Sequence, residues 1–440
     1  MLIKNGTIVT SERVFKADIL IKDGVIDKIG MNLEKDDYID AEGMFVFPGA
    51  IDVHTHFGLE TKAGKTADDF YTGTVAAASG GTTTIIDHLA FGPKDANLMH
   101  QVNKYHEYAT DSVIDYSFHG VIQRVDEDIL NELAVLKSNG ISSVKFYTTY
   151  DYPLKTREIK KLLKRTKELG MVATFHAEKD NLVRTYRRLL KRRRKLTPYY
   201  HAKSRPAEVE IKALEDIVTV QRSVKAPLYM VHTTTKKAMK LAKRHKIYVE
   251  TCPQYLLLDE DYLNREDGVK YIFSPPLRKH KESLALWEGI NKGLVDVIAT
   301  DHCAFNYTQK KPFENNFLDC PNGIPGVELR PLLMFSEGVA KKRITPEKYV
   351  QLISTNPAKI FGLYPKKGDI LLGSDADFMI LDPRKKSKIT VDELHSVSDY
   401  TPYEGVEVFG EIYATIQRGN LLFYKGEPIA RRGQGEFLKR

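Results

Sequence analysis

Cysteine is scarce in this chain. Its 440 residues include three cysteines, Cys252, Cys303 and Cys320. A small and odd number excludes a disulfide framework and is typical of a reducing compartment, so we expect a cytoplasmic protein. A chain of this length buries most of its apolar surface when it folds, so it needs no covalent cross-links.

Long hydrophobic runs are missing as well. No apolar stretch approaches the roughly 20 residues that a membrane-spanning helix needs, so we expect no membrane partner. The first six residues, MLIKNG, alternate like a strand and do not form the apolar core of a signal peptide. Apolar residues make up 42% and charged residues 28% of the chain, and these proportions exclude a disordered or fibrous protein.

The net charge of +8 raises the question of a nucleic-acid partner. The segment 184–195, RTYRRLLKRRRK, holds eight basic residues and no acidic ones, so the rest of the chain carries no net charge. A surface that follows a phosphate backbone needs a wider basic face. We therefore expect no nucleic-acid partner. The run is interpreted as the solvated face of a helix, and an anionic partner is the alternative.

The two ends of the chain have the pattern of antiparallel strands. Residues 1–48 and 366–440 contain short alternating runs, such as Leu2–Thr10 and Phe378–Leu381, separated by glycine turns. We expect the two segments to meet as one small, discontinuous β-sandwich domain.

The middle segment, residues 49–365, has a different organisation. Short β-rich runs alternate there with helical stretches such as Glu158–Leu169, at intervals of roughly 30 residues. Eight such units predict an α/β fold with a parallel, closed (β/α)8 TIM-like barrel. The predicted strands are Ala50–His54, Thr82–Asp87, Val113–His119, Ser143–Thr148, Met171–His176, Leu228–His232, Ile247–Thr251 and Val297–Asp301.

Histidines stand where several of these strands end, and active sites of such barrels lie at that end. His54 and His56 are two residues apart in a strand, so their side chains point the same way and can bind one metal ion. His176 and His232 end the fifth and sixth strands and are candidates for a second ion, and Asp301 ends the eighth. Imidazole and carboxylate ligands favour zinc or another first-row metal. The remaining nine histidines are interpreted as ordinary core or surface residues.

Two neighbouring cations need an anionic bridge. The fourth strand offers no carboxylate for it, but it contains Lys145. A protonated lysine would be repelled, whereas a neutral lysine reacts with carbon dioxide to give an anionic carbamate. We therefore predict that Lys145 is carboxylated. Cys252 and Cys303, also near strand ends, are a less favoured ligand alternative.

A series of ordered motifs runs along the chain: PGAIDVHTHF (48–57), SGGTTTIID (79–87), ISSVKFYTTY (141–150), FHAE (175–178), ETCPQYLLLD (250–259), SPPLR (274–278), ATDHCAFN (299–306), CPNGIPGVE (320–328) and STNPAKIFGLYPKKG (354–368). On these motifs the chain resembles the dihydropyrimidinase/hydantoinase family of cyclic amidohydrolases over essentially its whole length. Within that family, DHLAFGP (87–93) and VIDYSFHGVIQ (113–123) are most similar to the D-phenylhydantoinase branch.

This resemblance implies a barrel plus β-sandwich, a cytoplasmic homotetramer, and a binuclear metal centre bridged by a carboxylated lysine. It assigns one ion to His54, His56, Lys145 and Asp301, and the other to Lys145, His176 and His232. Two divalent ions per subunit, most favourably Zn²⁺, and carbon dioxide as the lysine carbamate are the expected cofactors.

The implied reaction is hydrolysis of the cyclic amide bond of 5-substituted hydantoins, dihydropyrimidines or both to N-carbamoyl amino acids. A hydroxide that bridges the metals would attack the ring carbonyl, and Asp301 would serve as general base and then general acid. Tyr150 would stabilise the oxyanion, with plain aromatic packing as its alternative. The backbones at Ser274 and Asn322 would pair with the cyclic amide.

Three alternatives remain at this point. The first is a dihydroorotase. Dihydroorotases usually have an arginine two residues after the H-x-H pair to bind the substrate carboxylate, and this chain has Gly58 there, which disfavours dihydroorotate as the substrate. Allantoinases have related metal ligands and stay open on those alone, although the stretches from 87 and 113 fit them poorly. A non-catalytic dihydropyrimidinase-like scaffold is disfavoured because every ligand position is present.

Five apolar residues lie in the loops after the early strands, where the ring substituent of a substrate would lie. They suit an aryl or alkyl substituent, or they are loop-packing anchors: Phe57, Leu59, Leu89, Phe91 and Tyr152.

Overall fold

The computed structural model describes residues 1–61 and 64–440, and two large sheets dominate it. Strands β1–β5 are Leu2–Val9, Val14–Lys22, Val25–Gly30, Tyr38–Asp40 and Phe45–Pro48. Strand β6 is Ala50–Thr55, and β7 (Glu60–Thr61) pairs with β8 (Gly64–Lys65). Strands β9–β15 are Thr82–His88, Asp115–Val121, Ser143–Tyr147, Val172–His176, Leu228–Met230, Tyr248–Thr251 and Val297–Ile298. Strands β16–β19 are Phe378–Lys388, Glu407–Gln417, Asn420–Tyr424 and Glu427–Pro428.

The first sheet is the barrel. Its eight strands lie in chain order, β6, β9, β10, β11, β12, β13, β14 and β15, and every neighbouring pair is parallel. The predicted (β/α)8 barrel is therefore confirmed, with all eight strands in the predicted places. Several predicted strand bounds are wrong by one to three residues. β10 is Asp115–Val121 and not Val113–His119. β13 stops at Met230 and β15 at Ile298, so His232 and Asp301 lie past the strand ends, with left-handed φ angles of 37° and 55° that do not fit a strand.

The barrel closes between its first and last strands through backbone and side-chain hydrogen bonds. The His56 N–H donates to the His302 carbonyl at 2.8 Å. The fully buried Arg330 donates from one guanidinium nitrogen to the carbonyls of Ile51 and Ile298, both at 2.9 Å. Arg330 thus joins β6 to β15, and the strand ends that carry the predicted site form one rim.

Helices cover the outside of the barrel, and local sequence signals place them. Asp126 caps α3 by accepting from the Ile129 N–H at 2.9 Å, and Ile129, Leu133 and Leu136 face the core at helical spacing. Helices α1–α7 are Phe70–Ser79, Leu98–Ala109, Glu127–Ser138, Thr156–Glu168, Asp180–Arg192, Tyr199–Ser204 and Ala207–Val224. Helices α8–α14 are Lys236–Arg244, Pro253–Leu257, His280–Asn291, Tyr307–Lys310, Arg330–Met334, Pro346–Val350 and Asn356–Ile360. Short 3₁₀ turns span Glu260–Asn264, Gly268–Tyr271, Lys311–Phe313 and Val391–Glu393, and π-helical turns span Phe335–Ala340 and Gln351–Thr355.

The second sheet has nine strands from both ends of the chain. It runs β3, β2, β1, β5, β16, β17, β18, β19, and β4 pairs with β1 at residues 2–4. The predicted discontinuous β-domain is therefore present as one hydrogen-bonded sheet. The domain boundaries at 48/49 and 365/366 stay a prediction.

A buried ion cluster joins the two sheets. The ammonium group of Lys367 lies 2.8 Å from an oxygen of Asp115 on β10, 2.9 Å from Asp375 and 2.6 Å from Asp377. Arg418 also pairs with Asp115. These buried ion pairs hold β10 of the barrel against residues that flank β16 and β17, so they fix the contact between the sheets.

The basic run 184–195 falls mostly on α5, and most of its side chains are exposed. Among the basic residues of the run Arg187 is the exception, because it is half-buried and donates to the Leu318 carbonyl at 2.6 Å. Among the described residues, no helix is both long and apolar enough to cross a membrane.

Candidate metal centre and active site

The first cluster at the barrel rim joins β6 to the end of β15. Asp301 Oδ1 lies 3.0 Å from His54 Nε2 and 3.3 Å from His56 Nε2. Although burial raises the pKa of Asp301, His54 and His56 hold it well below its usual range. The carboxylate is therefore ionised and points at two imidazole nitrogens.

The second cluster joins β12 to the segment after β13. His176 Nδ1 lies 2.9 Å from His232 Nε2, and both rings are buried. His232 also belongs to the first cluster, because ligand atoms of His54, His232 and Asp301 all lie within 4.8 Å of one another. The four predicted histidines and Asp301 therefore converge on one buried region.

Lys145 on β11 lies in the same region. Its side chain is buried, and its Nζ is 3.3 Å from His88 Nε2, an imidazole and not a carboxylate. Burial lowers the pKa of Lys145 to about 8, against the opposing influence of Glu250 and Asp301. The lowered pKa increases the fraction of neutral amine at neutral pH, and the neutral amine is the form that reacts with carbon dioxide.

Two buried glutamates orient the histidines, and the sequence analysis missed both. Glu250 accepts from His54 Nδ1 at 2.7 Å and from the His232 backbone N–H at 2.8 Å. Glu178 accepts from His176 Nε2 at 2.7 Å and pairs with Arg205. Because each glutamate accepts from the other ring nitrogen, His54 Nε2 and His176 Nδ1 are the nitrogens directed into the cluster. The position of Glu178 two residues after His176 was the one local signal of this role.

The donor set fits a divalent metal. Four imidazoles and a carboxylate are the ligands of zinc and other first-row ions. The electrostatic environment of His54 also favours a cation. Burial lowers the pKa of His54, but Glu250 and Asp301 raise it to about 9. A positive charge beside His54 Nε2 is therefore favoured, whether it is a proton or a metal ion.

His88 also lies against the cluster, although the sequence analysis treats it as ordinary. Its ring centre is 4.3 Å from that of His54, and its Nδ1 is buried without a partner among the described residues. Burial and the neighbouring Lys145 hold its pKa well below the usual range, so it is a neutral partner of that lysine. No signal in its sequence neighbourhood separates it from a core histidine.

Tyr150 follows β11 in a left-handed conformation, with φ at 72°. Its ring centre is 4.9 Å from that of His176, and the Arg205 guanidinium carbon is 5.5 Å from its ring centre. Burial raises the pKa of Tyr150, while Arg205 and a hydrogen bond with Ser274 lower it, and the net shift is upward. The phenol therefore keeps a proton that it can donate next to the cluster.

Ser274 and Asn322 lie side by side on two separate loops. The Ser274 hydroxyl donates to Asn322 Oδ1 at 2.8 Å, and the Asn322 side-chain amide donates to the Cys320 carbonyl at 3.1 Å. Because Ser274 also bonds with Tyr150, the three predicted substrate-binding residues adjoin one another. The structure thus brings together every residue that the sequence analysis assigned to the site.

The cysteines contribute thiols and no thiolates. All three are free and buried. Burial raises the pKa values of Cys252 and Cys303 well above the usual range. Neither cysteine belongs to a cluster of possible metal ligands among the described residues, so the cysteine alternative has no support in this site.

The apolar loop residues separate into two groups. Phe57 and Leu89 are buried and pack in the core, so they are packing anchors. Phe91 is half-buried and stacks edge-on against Tyr147 and Tyr152, with ring centres 5.1 and 5.0 Å away. This aromatic group adjoins Tyr150, whose ring centre is 5.8 Å from that of Tyr147.

Known proteins give a consistent comparison. Residues 45–422 match the amidohydrolase family. The chain is 45% identical over 451 aligned positions to D-phenylhydantoinase from Escherichia coli O9:H4 (strain HS), covering 100% of this chain and 98% of that protein. A crystal structure of D-hydantoinase matches with a TM-score of 0.97 at 38% identity, and that of dihydropyrimidinase from Brevibacillus agri NCHU1002 with 0.97 at 36%. Each match covers 100% of this chain and 98% of the other.

Proposed function

Because the chain belongs to the amidohydrolase family, and within it to the hydantoinases and dihydropyrimidinases, we propose that it hydrolyses 5-substituted hydantoins, dihydropyrimidines or both. The cyclic amide bond opens, water adds across it, and an N-carbamoyl amino acid results. The observation that carries this proposal is the convergence of four imidazoles and Asp301 around the buried Lys145.

We assign one metal ion to His54, His56 and Asp301 and the other to His176 and His232, with carboxylated Lys145 as the bridge. The nitrogen-rich donor set supports zinc. When bound, the two ions supply Lewis-acid polarisation of the ring carbonyl and a water molecule of lowered pKa.

Asp301 handles the proton in this scheme. Its carboxylate is ionised and adjoins the ring nitrogens of His54 and His56, so it accepts a proton from the attacking water. It then returns the proton to the ring nitrogen that leaves. An amide at position 301 can neither accept this proton nor return it, so Asp301→Asn should lose this role.

Tyr150 and the neighbouring loops hold the ring. The protonated Tyr150 phenol donates to the oxyanion that forms on the ring carbonyl, and one such donor contributes roughly 3 kcal/mol. The backbones at Ser274 and Asn322 pair with the amide edge of the ring. The aromatic group of Phe91 and Tyr152 supports an aryl substituent at position 5, in keeping with the name of the D-phenylhydantoinase relative.

The test is a ring-opening assay on protein reconstituted with zinc and bicarbonate. We expect turnover of 5-phenylhydantoin or dihydrouracil, with allantoin and dihydroorotate slow. Asp301→Asn should lose most of its activity, while Asp27→Asn, which changes an exposed carboxylate on β3 of the second sheet, should keep it. Preference for allantoin, or an active Asp301→Asn variant, contradicts the proposal.

We also propose a cytoplasmic homotetramer, on the strength of the family resemblance. Light scattering coupled to size-exclusion chromatography measures the mass in solution. A monomer of 50.0 kDa would contradict the proposed tetramer, and the proposed reaction would be unaffected.

A further inference from the structure

We propose that Lys310 is a positioning residue, which sets the separation of the two chain segments that carry Ser274 and Asn322 and so determines how well the substrate ring binds. This inference rests on the proposed function, because it takes those segments as the binding site for the cyclic amide.

Lys310 hydrogen-bonds to both segments. Its Nζ donates to the Ile272 carbonyl at 2.8 Å and to the Gly323 carbonyl at 2.5 Å. Ile272 precedes Ser274 by two residues, and Gly323 directly follows Asn322. One ammonium group therefore holds both backbones next to the residues that would meet the ring.

The same two segments touch each other directly at two points. The Gly323 N–H donates to the Ile272 carbonyl at 3.1 Å, and the Ser274 hydroxyl donates to Asn322 Oδ1 at 2.8 Å. The Ile272 carbonyl accepts from Lys310 as well, so the lysine reinforces this contact between the two segments. A movement of either segment therefore breaks hydrogen bonds to the Ile272 carbonyl.

The surroundings of Lys310 point to this role. Its side chain is 0% exposed, and among the described residues its polar contacts are the two carbonyl oxygens, with no carboxylate in an ion pair. The nearby side chains are the thiols of Cys303 and Cys320 and the ring of Tyr400, whose centre is 5.9 Å away. A buried amine without a counter-ion is costly, and a methionine would fill the same space without that cost. The two hydrogen bonds are therefore what a lysine contributes here.

Lys367 provides a matched control. It is also a buried lysine, but it pairs with three aspartates at the contact between the two sheets. Its removal leaves buried carboxylates without a partner, so it should reduce stability strongly and leave substrate binding unchanged.

The first test compares kinetic constants of Lys310→Met and Lys367→Met on the best substrate of the wild-type protein. Loss of two hydrogen bonds that fix a binding site should raise KM about tenfold and change kcat less than about threefold. Lys367→Met should keep the wild-type KM. An unchanged KM for Lys310→Met overturns the proposal, and so does an equal loss in the control. If Lys310→Met fails to fold, Lys310→Gln, which is too short to reach both carbonyls, should raise KM in the same direction.

The second test does not depend on activity. In crystal structures, Lys310→Met should separate the Ile272 oxygen and the Gly323 nitrogen beyond hydrogen-bonding range, about 3.5 Å. A separation that stays near the 3.1 Å of the wild type overturns the inference, whatever the kinetics. If the wild type opens none of the four rings, the proposed function has failed, and this measurement still decides whether Lys310 holds the two segments together.

Discussion

His176 Nδ1 lies 2.9 Å from His232 Nε2, and Glu178 accepts from the other nitrogen of His176 at 2.7 Å. Glu178 thereby fixes the tautomer of His176 and leaves a lone pair facing His232. Two imidazole nitrogens so placed are bridged by one proton, or they bind one cation. Both rings are buried, so two facing nitrogens that share neither a proton nor a cation would be costly, and this pair is therefore the candidate ligand pair for the proposed second ion.

Removing this pair should reduce the metal content. We expect His232→Ala to bind one ion per subunit instead of two, because the second ion loses one of its two imidazoles while the cluster of His54, His56 and Asp301 remains. Elemental analysis of the dialysed protein measures the ratio. His280→Ala is the control, since its side chain is 69% exposed and its carboxylate partner is Asp259, which is no part of the cluster. Two ions in His232→Ala would contradict the assignment.

The carbamate on Lys145 should be directly detectable. Protein prepared with zinc and ¹³C-bicarbonate should give a carbamate carbon signal in the nuclear magnetic resonance spectrum. The signal should disappear in Lys145→Ala and persist in Lys310→Met, although burial lowers the pKa of both lysines to about 8. The reason is that Lys310 bonds to two carbonyls, whereas Lys145 faces imidazoles. A signal that follows Lys310 would refute the modification of Lys145.

Much of this site was predictable because parallel strands bring their carboxyl ends together. The barrel follows from eight β-rich runs, and the rule that sites lie at strand ends then places His54, Lys145 and Asp301 near one another. Their separation along the chain is irrelevant once the barrel is known. That is why a few polar residues at strand ends were enough to indicate a metal site.

The orienting groups were not predictable, because spacing does not say which partner a buried acid selects. Glu250 lies 196 residues from His54 and reads in the sequence as one polar residue of a strand. Lys310 lies 38 residues from Ile272, in a short helix whose own pattern gives no sign of burial. Such pairings depend on how side chains pack across loops, and the spacing of residues within one segment does not show this.

Replacing the Tyr150 hydroxyl should affect turnover more than binding. The phenol would donate chiefly to the oxyanion of the transition state, so Tyr150→Phe should lower kcat about a hundredfold with little change in KM. Steady-state kinetics on the best substrate checks this split. Tyr152→Phe is the control, because its ring stacks on Phe91 and its hydroxyl has no part in the reaction scheme. A rise in KM at unchanged kcat for Tyr150→Phe would assign it to ground-state binding instead.

Lys310 should also change how the free energy of unfolding depends on pH. Burial lowers its pKa from 10.5 to about 8 in the folded protein. Between these two values the unfolded chain binds the proton and the folded chain does not, so the free energy of unfolding rises with pH across this window. Relative to Lys310→Met, the wild type should gain up to about 3 kcal/mol between pH 8 and pH 10.5, since one pKa unit corresponds to roughly 1.4 kcal/mol.

Urea unfolding of wild type and variant at several pH values measures this difference. Lys367→Met is the control with the opposite sign. The three aspartates raise the pKa of Lys367 above 10.5 despite its burial, so its contribution is constant up to that pH and is lost only at higher pH. The wild-type difference from Lys367→Met should therefore stay flat between pH 8 and pH 10.5. A flat difference for Lys310→Met as well would mean that Lys310 stays charged in the folded state, held by its two carbonyl partners alone.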